Sequence, residues 1–426
     1  MAHHLTDHSY ARLSQRLNRF PQPAPPSELL FQILRILFSE REAGLVANLP
    51  IRPFSAKRAA RIWKMPPAEA QKVLDGLADK ALLVDIERNG TTVYVLPPPM
   101  AGFFEFSMMR VRDDVDQHAL AELYYQYINV QEDFIMALFS GGSTQLGRVL
   151  VHEQALPDDP TLHVLDYERA TEVIRTATCR AITLCYCRHK MQHLGKACSA
   201  PLDICMTFNT AAQALARHGI AREVGVDECL DQLQRAYDND LVQFGENVRE
   251  GMNFICNCCK CCCEAMIAAR RVAFLRPVHT TNFLPAVDNE TCTACGVCAE
   301  LCPVEAVSLK PCAESESWVG TIARVDESLC LGCGLCVRRC PSKAIHLVSR
   351  AERVITPLNS AHRVVLMAVE RNKLQELLVD RNVLWSHRAL AAVLGALLRL
   401  PPAKRFLAQS QVRSRFLEAA LRNANV

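Results

Sequence analysis

Long apolar runs, a secretory leader and a glycine-rich nucleotide loop are all missing from this chain of 426 residues. Its longest uninterrupted apolar stretch, Ala389 to Leu398, has ten residues, whereas a bilayer span needs about 18 or more. No transmembrane helix is expected. Met1 to Pro26 is polar and proline-bearing rather than basic and then apolar, which predicts a cytoplasmic location. Neither G-x-G-x-x-G nor a P-loop occurs, so the usual dinucleotide and nucleoside-triphosphate sites are excluded. Charge of one sign is not in excess either: 48 basic against 45 acidic residues gives no global pull toward nucleic acid. Cysteine is absent before Cys179 and after Cys340, yet the chain carries 21 of them.

That confinement decides what the thiols are for. Tight runs of cysteine in a reducing compartment point to metal rather than to disulfides. By length the chain should hold two to four domains, at about 150 residues each. An α+β, multidomain fold is expected, in five regions: 25–100, 101–178, 179–275, 285–350 and 351–426. In the first, Leu29, Leu30, Ile33, Leu34 and Leu37 recur at helical spacing. Ser55 can cap a second helix through Trp63, and Pro66-Pro67 opens a third over Ala68 to Ala81. Leu82 to Glu87 and Thr91 to Leu96 read as a hairpin across Asn89-Gly90. This order of elements resembles a winged helix-turn-helix domain. Pro97-Pro98-Pro99 closes the unit. A helical connecting region follows, apolar from Leu120 to Phe139, broken at Gly141-Gly142 and helical again from Tyr167 to Ala177.

A repeat occupies 287–348. Shifted by 38 residues, Cys292, Cys295, Cys298 and Cys302 fall on Cys330, Cys333, Cys336 and Cys340, Gly296 falls on Gly334, and Pro303 on Pro341. Each half reads C-x2-C-x2-C-x3-C-P. Three cysteines at i, i+3 and i+6 on a glycine-bearing loop can turn their sulfurs to three corners of one cubane, and Gly296, Gly332 and Gly334 let the backbone make the turn. The run resembles the bacterial two-cluster ferredoxin family. The resemblance implies two [4Fe–4S] clusters. One would be held by Cys292, Cys295, Cys298 and Cys340, the other by Cys330, Cys333, Cys336 and Cys302, because in that family the fourth cysteine serves the opposite cluster. Paired zinc knuckles are the alternative, but zinc sites rarely add a third cysteine at x2 followed by x3-C-P. The segment between Cys302 and Cys330 is longer than compact ferredoxins need and should form an extended hairpin or loop, with Cys312 a bystander thiol.

A second cysteine field runs from 179 to 263 and is expected to be helical. Cys185-x-Cys187-Arg188, Cys198 and Cys205 are followed by Cys256, Cys258, Cys259, Cys261, Cys262 and Cys263, while Cys179 and Cys229 stand apart. The C-x-C-R and C-N-C-C-x-C-C-C segments resemble a region found beside ferredoxin repeats in uncharacterised bacterial and archaeal iron–sulfur proteins, which implies no particular chemistry. Exposed neighbouring thiols oxidise readily, so a soft metal is expected among them. An additional iron–sulfur cluster, a zinc site and a redox-active dithiol all stay open. Cys185, Cys187, Cys198 and Cys205 form the simplest set of four, with the 256–263 run a second or shared set. Arg188, His189, Lys190, Lys196 and Lys260 could offset thiolate charge. His189 and His193 read as a solvated basic face, and 226–242 as an amphipathic helix with Leu230, Leu233 and Tyr237 inward.

The expected function is iron–sulfur electron transfer to or from partner redox proteins, and an electron-transfer subunit is a better reading than a stand-alone enzyme. A redox-sensing DNA-binding regulator and an enzyme acting at an additional cluster are the alternatives. Lys57, Arg58, Arg61 and Lys64 are basic, but the third helix, which would enter a groove, carries Glu69, Asp75 and Asp79, so docking is favoured over DNA binding. The helical tail, apolar from Leu384 to Leu400 and basic through Lys404, Arg405, Arg413 and Arg415, reads as packed on the protein's own core, with peripheral membrane contact as the other reading.

Overall fold

Helical spacing of leucine and isoleucine is realised at the N-terminal side of the computed structural model, which describes residues 2–88, 90–156, 166–311, 321–354 and 356–378. Helix Glu28–Leu37 starts where the Ser27 hydroxyl accepts from the Leu30 amide, and it buries Leu30, Ile33, Leu34 and Leu37. A helix at Glu40–Val46 follows, opened by a reciprocal capping box between Ser39 and Glu42. Strand β1 (Phe54–Ser55) leads into helix Ala56–Trp63 and then helix Pro67–Asp79. Ser55 occupies the cap position of Ala56–Trp63, but its side chain makes no capping hydrogen bond, because the residue is committed to β1. Strands β2 (Val84–Arg88) and β3 (Thr91–Val95) form the hairpin, and β1 adds to it in the order β1-β3-β2.

Two features lie outside what the sequence led us to expect. Residues Ala2–Leu17 form a helix. Its Tyr10, Leu13 and Leu17 join the core under Glu28–Leu37, and the Tyr10 hydroxyl donates to the Phe38 carbonyl at 2.9 Å. The same core continues through Phe103, Phe104, Tyr124, Tyr127 and Phe134, so residues up to about the Gly141-Gly142 break pack with the N-terminal helices.

The cysteine-rich region is not helical. It is built on a six-stranded antiparallel sheet: β4 (Gly147–Val149), β5 (Arg180–Leu184), β6 (Asp203–Phe208), β7 (Arg222–Glu223), β8 (Val242–Glu246) and β9 (Phe254–Cys258), in the order β4-β8-β9-β6-β5-β7. β6 and β8 are almost wholly buried, so neither shows the alternation of a one-sided strand. Helices Ala170–Thr176, Tyr186–His193, Asn209–Arg217, Val226–Asp238 and Glu264–Arg271 pack around the sheet. Val226–Asp238 buries Leu233 and Tyr237 and half-buries Leu230, as its pattern predicts. Past the sheet, β10 (Phe283–Val287), β11 (Val307–Pro311), β12 (Thr321–Val325) and β13 (Ile345–Ser349) form two hairpin-like pairs, β10-β13 and β11-β12. The extra length between Cys302 and Cys330 is therefore a hairpin. Its tip at 312–320, with Cys312, lies outside the described residues, as does the chain from 379 on, including the basic stretch of the tail. Helices Ser360–Glu370 and Leu374–Leu378 precede it, the former held by Arg363, whose guanidinium meets buried Glu246 at 2.9 Å. Among the described residues no helix is long and apolar enough to cross a membrane.

A charge clasp joins the N-terminal unit to the sheet region. His218, just past helix Asn209–Arg217, sits between Asp79 at 2.7 Å and Asp85 at 3.1 Å, and Arg217 pairs with Asp85 and Glu87. The hydrogen bond to Asp85, helped by Asp79 and opposed by burial, pushes His218 up from its ordinary range. A raised folded value means that the imidazolium's contribution is complete below the unfolded value of about 6.5 and fades as pH rises through the folded one. Amide protection factors in Val84–Arg88 and Asn209–Arg217, corrected for intrinsic exchange, should fall as pH rises from about 6.5. His218→Gln should flatten that dependence. Protection that climbs over the same range would contradict the clasp.

Candidate metal centres

The repeat closes on itself crosswise. β10, at the start of the first half, pairs with β13 at the end of the second; β11, at the end of the first, pairs with β12 at the start of the second. The Asp288 amide donates to the Ala344 carbonyl and the Asp326 amide to the Ala306 carbonyl, at 2.8 and 2.7 Å. This exchange carries the last cysteine of each half to the loop of the other. One cavity is lined by Cys292, Cys295, Cys298 and Cys340. A second is lined by Cys302, Cys330, Cys333 and Cys336. Both are walled by apolar side chains and backbone, a donor set that suits an all-thiolate cluster.

The two cavities differ in what surrounds them. Cys295 is exposed and Cys292 and Cys340 are partly so, whereas Cys302, Cys330 and Cys333 are buried. Burial pushes the Cys330 thiol up to about 11 and Cys333 to about 12. The Cys333 carbonyl accepts from the His152 amide at 2.8 Å, and the Cys330 carbonyl from Arg350 at 2.6 Å. The loop geometry records this difference. Ala294 and Gly332 are equivalent positions of the repeat, and both have positive φ, +53° and +70°. A side chain is tolerated at Ala294. At Gly332 a Cβ would overlap the Phe283 carbonyl and the Thr281 hydroxyl.

In the middle region the sheet gathers ten thiols into two adjoining sets. β9 lies between β8 and β6, and β5 lies beyond β6, so Cys256 and Cys258, Cys205, and Cys185 converge at one end of three neighbouring strands. Their sulfurs form a string of neighbours, Cys256 beside Cys205, Cys205 beside Cys185, Cys185 beside Cys187 and Cys187 beside Cys263, and it ends where the Cys263 thiol donates to the Cys258 sulfur at 3.0 Å. Cys198, Cys259, Cys261 and Cys262 form the other set, with all four sulfurs within 4.8 Å of one another. The simplest set read from the sequence is thus divided: Cys198 belongs with the 259–262 turn, and Cys185, Cys187 and Cys205 with the string.

Arg188 lies between the sets, interacting with Cys185, Cys205 and Cys259. A hydrogen bond from Cys262, together with Arg188 and against burial, holds Cys259 down to about 4. Hydrogen bonds from Cys187 and Cys205 hold Cys185 well below the ordinary thiol range. The other expected cations are used elsewhere. Lys190 is buried against Glu264 and Asn129, Lys196 lies over the Tyr125 ring at 4.2 Å, and Lys260 pairs with Glu305 at 3.4 Å. His189 is buried, with Nδ1 against the Met108 carbonyl and its ring 4.8 Å from that of His193, so these histidines are not a solvated face. Cys229 is buried against the Met206 sulfur and Cys179 lies at the start of β5; both are apart from the two sets. Arg270 and Arg350, which no motif in the sequence marks, support the thiol loops through backbone carbonyls. Arg270 donates to the carbonyls of Lys260 and Pro303 at 2.9 and 2.6 Å.

With this geometry in hand, the comparisons bear on one segment. Residues 291–344 match the family model described as the 4Fe-4S dicluster domain, which makes that segment iron–sulfur, metal-binding and of the electron-transfer class. No curated protein and no solved structure matches the chain.

Gly332→Ala should therefore cost far more than the strain of about 1–2 kcal/mol for a left-handed non-glycine residue, since backbone must move. Iron analysis of the anaerobically prepared variant should show loss of about half the cluster iron. Ala294→Gly should leave iron content unchanged. Equal iron in the two variants would mean that the close approach at Gly332 does not constrain the loop.

Proposed function

We propose that the chain is a one-electron carrier that uses two thiolate quartets, Cys292, Cys295, Cys298 with Cys340 and Cys330, Cys333, Cys336 with Cys302, to hold two [4Fe–4S] clusters. The observation that carries this reading is the crosswise lining of two separate cavities by the duplicated quartets. When bound, such clusters supply reversible one-electron redox chemistry. The protein's own residues do the rest. Cys295 and the neighbouring half-exposed cysteines leave the first site open to a partner's surface, and Leu309, 39% exposed, offers an apolar contact beside it. His152, Thr281 and Arg350 enclose the second site and exclude water from it. Electron exchange with a partner redox protein at the first site, with the enclosed site as the inner stage, fits this difference in access.

The N-terminal unit has the element order of a winged helix, and we read it as a docking module. Glu69 and Asp75 are exposed on helix Pro67–Asp79, and Asp79 is held by His218. An acidic helix tied to the rest of the chain is a poor match for a phosphate backbone. The exposed cations Lys57, Arg58 and Arg61 on Ala56–Trp63, with Lys64 at its C-terminal cap, suit an acidic protein partner.

Protein prepared without oxygen should carry about eight cluster irons per chain. Cys340→Ser should damage the open site and spare the enclosed one; Cys302→Ser should do the reverse. Low-temperature EPR of the reduced variants, with a surface-confined relaxation agent to mark the open site, separates the two. Reversed losses would disprove the crosswise assignment. A colourless wild type without cluster iron would disprove the function.

A further inference from the structure

We infer that Cys198, Cys259, Cys261 and Cys262 bind a single tetrahedral metal ion of the zinc class. This site is distinct from the cluster pair proposed above and does not rest on it. The argument is one of distance. Four thiolates at about 2.3 Å from one ion stand at the corners of a tetrahedron whose edges are about 3.8 Å. Cys198 and Cys262 have their sulfurs 3.8 Å apart and Cys261 and Cys262 3.6 Å apart, with no pair in the set beyond 4.8 Å. A cubane places its four thiolates on four different irons, outside the corners of a cube, so their sulfurs must be more widely spaced than those on one ion. In the ferredoxin-type quartets the four thiols instead line a cavity each, and among the described residues neither quartet has its four sulfurs drawn together in this way. The string behaves differently again, because the 3.0 Å between Cys258 and Cys263 is shorter than the edge of any such tetrahedron.

The surroundings complete the site. Three ligands come from one turn, Cys259 to Cys262, between β9 and helix Glu264–Arg271, and the fourth comes from the loop between helix Tyr186–His193 and β6. The Cys262 amide donates to the Cys259 sulfur at 3.4 Å, and the Arg188 guanidinium, anchored on the Pro201 and Asn257 carbonyls, places its positive charge near the same sulfur. Donors of this kind orient metal-bound thiolates and offset their charge. Four thiolates close the coordination sphere and leave no position for a substrate, which is the pattern of a structural ion. Bound there, the ion ties two loops that are more than fifty residues apart in sequence. It also fixes the Lys260 carbonyl, through which Arg270 reaches Pro303, the residue after Cys302. The ion would thus brace the sheet region at the point where it meets the enclosed cluster site.

The test uses the full chain prepared anaerobically in medium containing both iron and zinc. One zinc per chain is expected in addition to cluster iron. X-ray absorption at the zinc edge should give a single shell of four sulfurs at about 2.3 Å with no metal–metal distance. Cys198→Ser with Cys261→Ser should lose that ion and keep the cluster EPR signals. A single iron lost from the double variant, with zinc absent throughout, would support the same site filled by iron. Absence of any metal beyond the cluster iron in the wild type would overturn the inference. So would a metal–metal distance at the zinc edge, or loss of about four irons from the double variant. Because the edge measurement is made on unaltered protein, it stands even if the variant does not fold. A wild type that holds zinc but no cubane would defeat the electron-carrier reading alone.

Discussion

One strand register holds the thiol-rich centre together. β9 pairs Phe244 of β8 with Cys256 on one side, and Met206 of β6 with Ile255 on the other. Side chains alternate across a sheet, so Cys256 and Cys258 share a face while Ile255 packs on the opposite core with Met206 and Phe208. A slip of one residue would bury the cysteines under the helices and push Ile255 into the thiol string. Hydrophobic burial on the far face thereby fixes the chemistry on the near one. Cys205 reaches Cys256 for the same reason, being held by β5 in the register that sets Thr183 against it. The sheet is the reason that sulfurs from four separated segments of sequence meet.

That dependence explains what was legible in the residues and what was not. The duplicated quartets could be read because a cubane loop is local: its three first cysteines fall within seven residues, and the repeat supplies its own internal check. The resemblance also implied the crosswise partner, and Cys340 lines the cavity of the first loop and Cys302 that of the second. The partner of Cys198 could not be read, because it is chosen by which strands lie side by side, and nothing in the spacing of Cys185, Cys187, Cys198 and Cys205 encodes that β9 comes between β6 and β8. Cysteine hides its own strands. In Phe-Ile-Cys-Asn-Cys and Asp-Ile-Cys-Met-Thr-Phe, Cys258 and Cys205 are buried like apolar residues and Cys256 is half-buried, which blurs the period of two that would mark the strands as β. Ala2–Leu17 was missed for the opposite reason: a polar segment becomes helical where Tyr10, Leu13 and Leu17 find a surface to cover, and tertiary packing overrides composition.

The two halves of the repeat have the same spacing but not the same freedom. At the solvent-facing loop Ala294, half-buried, sits at positive φ and its side chain is accommodated. At the enclosed loop the equivalent position is Gly332, where the Phe283 carbonyl and Thr281 hydroxyl leave room only for hydrogen. Gly334 is likewise crowded, a Cβ there lying 2.9 Å from that of Ala155. These contacts come from the entry to β10 and, from outside the repeat, from the segment after β4. Duplication supplied two equal loops, and the sheet region closes over one of them. For an electron carrier such asymmetry has a direct consequence, because exposure and local dielectric are levers on cluster potential.

Charge sets the remaining constraint. Cys258 and Cys263 pack in the same apolar cluster as Cys298, Cys302, Cys330 and Cys333, so the thiol basin and the enclosed quartet lie in one region of low dielectric. Thiolates there repel one another with little screening, and only a few cations reach them. Arg188 serves Cys185 and Cys259 together, Arg350 reaches the Cys330 backbone, and Arg270 ties the Cys259–Cys262 turn to the Cys302–Pro303 turn while meeting Glu305 at 3.8 Å. Burial pushes Cys258 up to about 12 and raises Cys187, Cys205 and Cys263 as well, so these groups are neutral thiols unless a bound cation offsets the charge of their thiolates. Charge placed on the middle thiols and charge placed on the enclosed quartet would therefore act on each other across this weakly screened region, which Arg270 spans through the Lys260 and Pro303 carbonyls.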